Sequence, residues 1–130
     1  MASVTRDGVA GERHLEARST RDRGLLHRFL EQDRVFAAYA IADTDDSEFE
    51  RTRFGIAFDD REPVAVVMEY RGISPQPVFV MGEPDGISAI LRDVVRPRIA
   101  YLGAKPEAFR GVRDHYRTDA PAPMVRMVVD

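Results

Sequence analysis

The stretch with the clearest chemical potential is Gly82-Glu83-Pro84-Asp85-Gly86, set between the apolar run Val78-Phe79-Val80-Met81 and residues 87–95. The run has the length of a buried strand, and the residues after the turn carry helical spacing, so the two glycines bound a strand-to-helix turn. Such a turn suits a phosphate-bearing cofactor, because a helix N-terminus presents unpaired N–H groups and partial positive charge. Glu83 and Asp85 oppose that use. A diphosphate about 4 Å from either carboxylate meets a repulsion of about 1 kcal/mol in water, and more once desolvated.

The other reactive residue types are dispersed. His14, His27 and His115 have no paired spacing for a metal, and no metal site is expected. Asp43-x-Asp45-x-Ser47 copies the opening of a calcium loop, but Glu48 stands where the glycine is needed and Phe54 where the closing carboxylate is needed. That pattern predicts a solvated turn. Ser74 and Ser88 lack the context of a nucleophile elbow. The chain has no cysteine, which excludes disulfides, thiolate ligands and a cysteine nucleophile, and fits a reducing, cytoplasmic setting. Tyr116 ends an apolar stripe begun by Phe109 and Val112, which gives it a packing role without any chemistry.

Composition narrows the class. A chain of 130 residues is long enough for one domain with a real core. Residues 1–11 are expected to form a flexible leader and residues 12–130 the domain; the polar start is unlike a signal peptide. A net charge of −3 and a pI near 5.6 argue against a nucleic-acid partner, which requires a basic face. No apolar run approaches the ~18 residues of a membrane span, and the run at residues 64–68 is strand-sized. Every basic residue except Lys105 is arginine, which suggests a GC-rich bacterial coding sequence.

The elements that must position the turn follow from periodicity. Ser19-Thr20-Arg21-Asp22 has the form of a capping box with Ser19 as the cap, ahead of a helix carrying Leu25, Leu26, Phe29 and Leu30. Asp33 is expected to cap a second helix that turns Val35, Phe36, Tyr39 and Ala40 inward, before a solvated loop over residues 43–48. Phe54, Ile56 and Phe58 alternate as in a half-buried strand, and residues 59–63 read as a turn. Residues 64–70 are nearly all apolar, as in a central strand covered on both faces. Glu69, within that strand, reads as a solvent-facing residue as readily as a general base.

Ile87, Ile90, Leu91, Val94 and Val95 then follow helical spacing, with Pro84 in the first turn and Pro97 as the stop. Residues 99–102 form a short strand, and Pro106 opens a helix with Ala108, Phe109, Val112 and Tyr116 inward. Residues 124–129 make the last strand. The order is a strand near residues 13–18, two helices, three strands, a helix, a strand, a helix and a strand. The final strand–helix–strand units imply a parallel pair, while the middle strands pair antiparallel. The expected class is α/β (α+β): a mixed, mostly antiparallel twisted sheet with helices on both faces.

This order resembles the GNAT N-acetyltransferase superfamily over residues 12–130. The resemblance is carried by residues 81–86, the helix at 87–95, Arg96-Pro97-Arg98-Ile99-Ala100-Tyr101-Leu102, and His115-Tyr116 ahead of residues 124–129. It is most like the non-catalytic N-terminal half of tandem GNAT-like proteins. In the active family, a Gln or Arg and a close glycine pair in the strand-to-helix turn let the amides hold the pyrophosphate of acetyl-CoA. Here Gly82 and Gly86 flank the matching turn, and two carboxylates replace the basic or amide residue. The resemblance thus implies Gly82 and Gly86 as cofactor-binding candidates, and acetyl-CoA as cofactor if the domain is active. It implies Tyr116 as the acid that protonates the departing thiolate.

Three functions follow. The first is a degenerate GNAT-like domain, the scaffolding or regulatory half of an N-acetyltransferase, with a downstream GNAT domain as partner. The second is a self-sufficient acetyl-CoA-dependent N-acetyltransferase acting on an unknown amine. The third is a protein-interaction module. Residues 124–129 are apolar and β-prone, so an unpaired edge there also predicts a homodimer.

Overall fold

The alternating Phe54, Ile56 and Phe58 lie in the second of five strands in one sheet. The computed structural model describes residues 15–73, 76–98 and 100–117. The chain begins with β1 (Leu15–Thr20), α1 (Arg23–Leu30), a 3₁₀ turn (Glu31–Asp33), α2 (Ala38–Ala42) and α3 (Asp46–Phe49). It continues with β2 (Thr52–Asp59), β3 (Glu62–Tyr70), β4 (Gln76–Gly82) and α4 (Pro84–Asp93). Last come β5 (Ala100–Gly103), a second 3₁₀ turn (Pro106–Ala108) and α5 (Phe109–Arg113).

The strands lie in the order β1-β2-β3-β4-β5. The first three pairings are antiparallel and the fourth, β4 with β5, is parallel. Parallel neighbours need a crossover connection, and α4 supplies it. The mixed, mostly antiparallel sheet with helices on both faces is the expected architecture, and the element order from β1 to α5 is the expected one apart from the added α3. The strand expected at residues 124–129, the pairing expected through it and the leader expected at 1–11 lie outside the described residues.

Side-chain alternation divides the core in two. Phe54, Ile56, Phe58, Val66 and Met68 face α1, whose Leu26, Phe29 and Leu30 cover them. Ala57, Ala65, Val67, Val78 and Val80 face α4 and α5, which contribute Ile87, Ile90, Leu91 and Val112. Each large apolar side chain buried in this way contributes about 1.5–3 kcal/mol. The strand expected to be half-buried, β2, is therefore covered on both faces. Gly55 and Ala57, which look permissive for solvent, are the small residues that let α4 approach; a Cβ on Gly55 would meet Ile90 Cγ2 at 2.5 Å.

Several local expectations are corrected. Ser19 does not cap α1: Ser19 and Thr20 pair with Gly55 and Phe54 in the sheet, and the strand ladder outcompetes the cap. Asp22 takes that role and accepts the Leu25 N–H at 3.1 Å. The second helix is shorter than its pattern suggests. Asp33 ends a 3₁₀ turn, Ala37 and Ala40 point inward, and Val35 and Tyr39 are 89% and 57% exposed. The tighter turn sends Val35 and Tyr39 outward and Ala37 inward, while Phe36 and Ala40 stay against the core as expected. The expected solvated loop at 43–48 contains the start of α3, and Thr44 within it is buried, donating its hydroxyl to Ile41 O. Helix α4 ends at Asp93, ahead of Val94, Val95 and Pro97, although Val95 is fully buried.

Candidate functional site

A parallel strand pair joined by a helical crossover, such as β4 and β5, favours ligand sites beyond the carboxyl ends of its strands. In this chain the geometry there is specific. β4 stays paired with β3 as far as Gly82, but it pairs with β5 only as far as Phe79 opposite Gly103. Beyond that point β5 gives way to Ala104 and the second 3₁₀ turn, so Val80, Met81 and Gly82 border a gap. A cavity of about 530 Å³ fills it, within the size range of small-molecule sites of roughly 300–1,000 Å³.

The cavity has an apolar floor and an acidic rim. Phe29, Phe36, Val80, Met81 and Ala108 form the apolar lining, with the Phe36 ring centroid 5.0 Å from that of Phe79 in a tilted pair. Asp33, Glu62, Glu83 and Glu107 supply four carboxylates, against the single ammonium of Lys105. Lys105 reaches across from the β5–α5 connection to hydrogen-bond Asp33 at the end of the first 3₁₀ turn, and lies 5.3 Å over the Phe36 ring. Its N–H holds the Asp33 carboxyl below the usual carboxylate range, helped by the Phe36 backbone N–H. The same bond pushes the Lys105 ammonium up. Both groups are solvent-exposed, so this pair adds little to stability.

The strand-to-helix turn lies at the edge of this cavity, and its two glycines have different jobs. Gly82 lines the cavity with φ +114°, a conformation that side chains rarely adopt. Gly86 does not line it. A Cβ there would meet Ala65 Cβ at 2.8 Å and Val64 Cγ2 at 3.2 Å, so Gly86 seats α4 on the sheet. Of the four amides that a helix start leaves without an intrahelical partner, that of Glu83 bonds Val64 O at 2.9 Å and Pro84 has no N–H, so those of Asp85 and Gly86 remain.

The two turn carboxylates also differ. Asp85 receives the Arg110 guanidinium at 3.0 Å, so its charge is matched by α5. Glu83 stands in the cavity lining. Helix α5 lies directly over the start of α4: Gly111 is so close that a Cβ would meet Pro84 O at 2.3 Å. Ser88 Oγ and His115 Nε2, 2.8 Å apart, add a second polar link between the two helices.

Tyr116 lies away from the cavity. Its hydroxyl donates to Pro97 O at 2.6 Å, and its ring packs at the margin of the α4–α5 core. Burial, with a smaller effect of the Glu69 carboxylate, pushes the phenol up. Glu69, expected as readily on the solvent side, is only 8% exposed. It faces the α4–α5 layer, which covers that side of the sheet, and it too is outside the cavity.

Of the cofactor, acid and base candidates read from the sequence, the structure therefore brings only Gly82 to the cavity, together with its turn neighbour Glu83. The site roles of Lys105, Arg110 and Asp33, the last read as a helix cap, escaped sequence reasoning because their partners lie 72 and 25 residues away. Lys105 carried one signal, as the sole lysine among arginines.

No protein-family model matches this chain, and no curated protein sequence matches it. A solved structure of an aminoglycoside N-acetyltransferase in complex with CoA aligns over 88% of this chain and 95% of that one, with a TM-score of 0.47 and 16% identity.

Proposed function

We propose that this chain is a GNAT-like domain that does not transfer acetyl groups by itself and serves as the scaffolding or regulatory half of an N-acetyltransferase. The observation that carries this reading is the character of the cleft between β4 and β5. It stands where a cofactor turn would open, yet its rim holds Asp33, Glu62, Glu83 and Glu107. A diphosphate there would face carboxylates on several sides in a partly desolvated cavity, where repulsion exceeds its value in water. The backbone offers half of a helix start's usual amides in compensation, since the Glu83 amide already bonds Val64 O and Pro84 has none. The residues present do not fit acetyl-CoA. Tyr116 donates its hydroxyl to Pro97 O outside the cleft, which supports a packing role over a proton-donating one.

The test is thermal denaturation with and without millimolar acetyl-CoA. A ligand at about 100 times its dissociation constant stabilises the native state by about 2.7 kcal/mol, which for a domain of this size raises the melting midpoint by roughly 10 °C. The expected shift is absent. A shift of that size would overturn the reading in favour of a self-sufficient acetyltransferase.

A further inference from the structure

We propose that the corner joining α2 to α3 is a proton-sensitive hinge, which sets how firmly α2, and with it the Phe36 wall of the cleft, seats on the sheet. The hinge does not depend on what the cleft binds.

Helix α2 is weakly held. At five residues it is too short to be stable by itself, and the side chains that it and the preceding turn bury fully are two alanines, Ala37 and Ala40. Packing gain follows buried apolar area, so two methyl groups contribute little. Phe36 and Ile41 add partly buried contacts, and Phe36 makes its own against Phe79 at the cleft. Helix α3 is held firmly by contrast. Phe49 is buried, its carbonyl accepts from Arg21 Nη2 at 2.9 Å and from Thr52 Oγ1 at 2.6 Å, and the Arg21 guanidinium lies over its ring. Repulsion arising at the corner is therefore relieved on the α2 side.

Asp43 supplies the charge at that corner. It is the C-cap of α2, with its N–H bonded to Tyr39 O at 2.9 Å, so an ionised carboxylate there meets the negative end of the helix. Glu48, on α3, adds a second negative charge that acts on Asp43. Glu48 is fixed in place, because it accepts the Tyr70 hydroxyl from β3 at 2.9 Å and lies 3.7 Å from Arg51. Helix α1 also packs on α2 and contributes no charge that acts on Asp43. Burial first, and then Glu48, push the Asp43 carboxyl up to about 6. Opening the corner exposes Asp43 and returns it to its ordinary value of 3.8. The closed corner thus keeps a proton that the open one releases, and opening becomes easier as pH rises to about 6, where the effect is complete. The full shift bounds the change in the opening equilibrium at about a hundredfold, and partial exposure reduces it to about tenfold. Local opening of this kind belongs to segments with few buried apolar contacts.

The experiment follows the full chain by NMR from about pH 4.5 to about pH 7.5, across the range in which the linkage acts. It reads the Asp43 carboxyl, the Phe36 ring, and amide exchange corrected for its intrinsic pH dependence. The expected Asp43 midpoint is about 6, and the Phe36 ring resonances should move with it. The Ile41 and Asp43 amides, bonded to Ala37 O and Tyr39 O, should lose protection about tenfold over this range. Throughout, they should exchange faster than those of Val66 and Val67 in the central strand β3, because the opening is local. Asp43→Asn removes the charge, so its α2 protection should stay at the acid level at every pH. Glu48→Gln keeps an acceptor for Tyr70 and should lower the Asp43 midpoint without returning it to 3.8, since burial is the larger cause. An Asp43 midpoint near 3.8 would overturn the proposal, as would α2 protection that ignores pH or falls equally in Asp43→Asn. Exchange of Ile41 and Asp43 no faster than that of Val66 and Val67 would mean global unfolding without a hinge. Phe36 resonances that do not follow Asp43 would overturn the link to the cleft wall.

Discussion

Alanine at Gly111 and alanine at Gly24 should move stability in opposite directions, although both replace a glycine in a helix. Helix propensity alone favours both changes, by up to about 1 kcal/mol in a helix interior and less near an end. At Gly24 nothing opposes the gain: the new Cβ would meet only Arg28 Nη1 and Asp22 Oδ1, both at 3.6 Å. Gly24→Ala should therefore stabilise by about 0.5 kcal/mol. At Gly111 the Cβ would lie 2.3 Å from Pro84 O and 3.0 Å from Pro84 C. These are backbone atoms at the start of α4, and they cannot rotate away as a side-chain tip would. Helix α5 must retreat by about 1 Å, and overpacking of this kind costs about 1–3 kcal/mol. The retreat would also loosen Ala108 and Val112, which are buried against α4, and stretch the Arg110–Asp85 contact. The net loss for Gly111→Ala is about 1–2 kcal/mol, so the two variants should differ by about 2 kcal/mol. Urea unfolding with a slope of about 1–3 kcal/mol per molar separates their midpoints by about 1 M. A Gly111→Ala protein as stable as the wild type would refute the close seating of α5 on α4.

Two further outcomes are expected. Asp43 has its carboxyl pushed up to about 6, first by burial and then by the neighbouring Glu48 carboxylate. A folded value above the unfolded 3.8 means that its contribution is fully present below about pH 4 and lost as pH rises through about 6. Asp43→Asn should thus stabilise the protein near neutral pH by about 1 kcal/mol, after discounting for partial exposure, and the gain should vanish near pH 4; urea melts at the two pH values read it, and an equal effect at both would be contrary. Tyr116→Phe removes the bond to Pro97 O while keeping the ring, and should cost about 1 kcal/mol in the same assay; an unchanged midpoint would mean that the bond contributes nothing.

The elements of this fold were legible in the sequence where their pattern is local. Alternation at Phe54, Ile56 and Phe58, and the spacing of Ile87, Ile90 and Leu91, express the two-residue and 3.6-residue repeats of strand and helix, and those repeats depend only on near neighbours. The strand-to-helix turn was legible for the same reason, since Gly82, with its positive φ, and Pro84 act on their own backbone. Phase was harder. One tight turn at Glu31–Asp33 left Val35 and Tyr39 exposed and buried Ala37 beside the expected Phe36 and Ala40, and no periodicity announces such a turn.

The character of the candidate site was decided by tertiary structure. Asp85 is matched by Arg110, Lys105 crosses to Asp33, and α5 covers the start of α4 through Gly111. Each of these contacts joins segments that chain reversals bring together. The free energy of a single ion pair or glycine contact is too small to choose those reversals, and burial of the two cores on either side of the sheet chooses them instead. Sequence determined that a turn with two carboxylates would sit between a buried strand and a helix. Only the packing of α1 and α5 around the open end of β4 determined that four carboxylates and one lysine would share the cavity beside it.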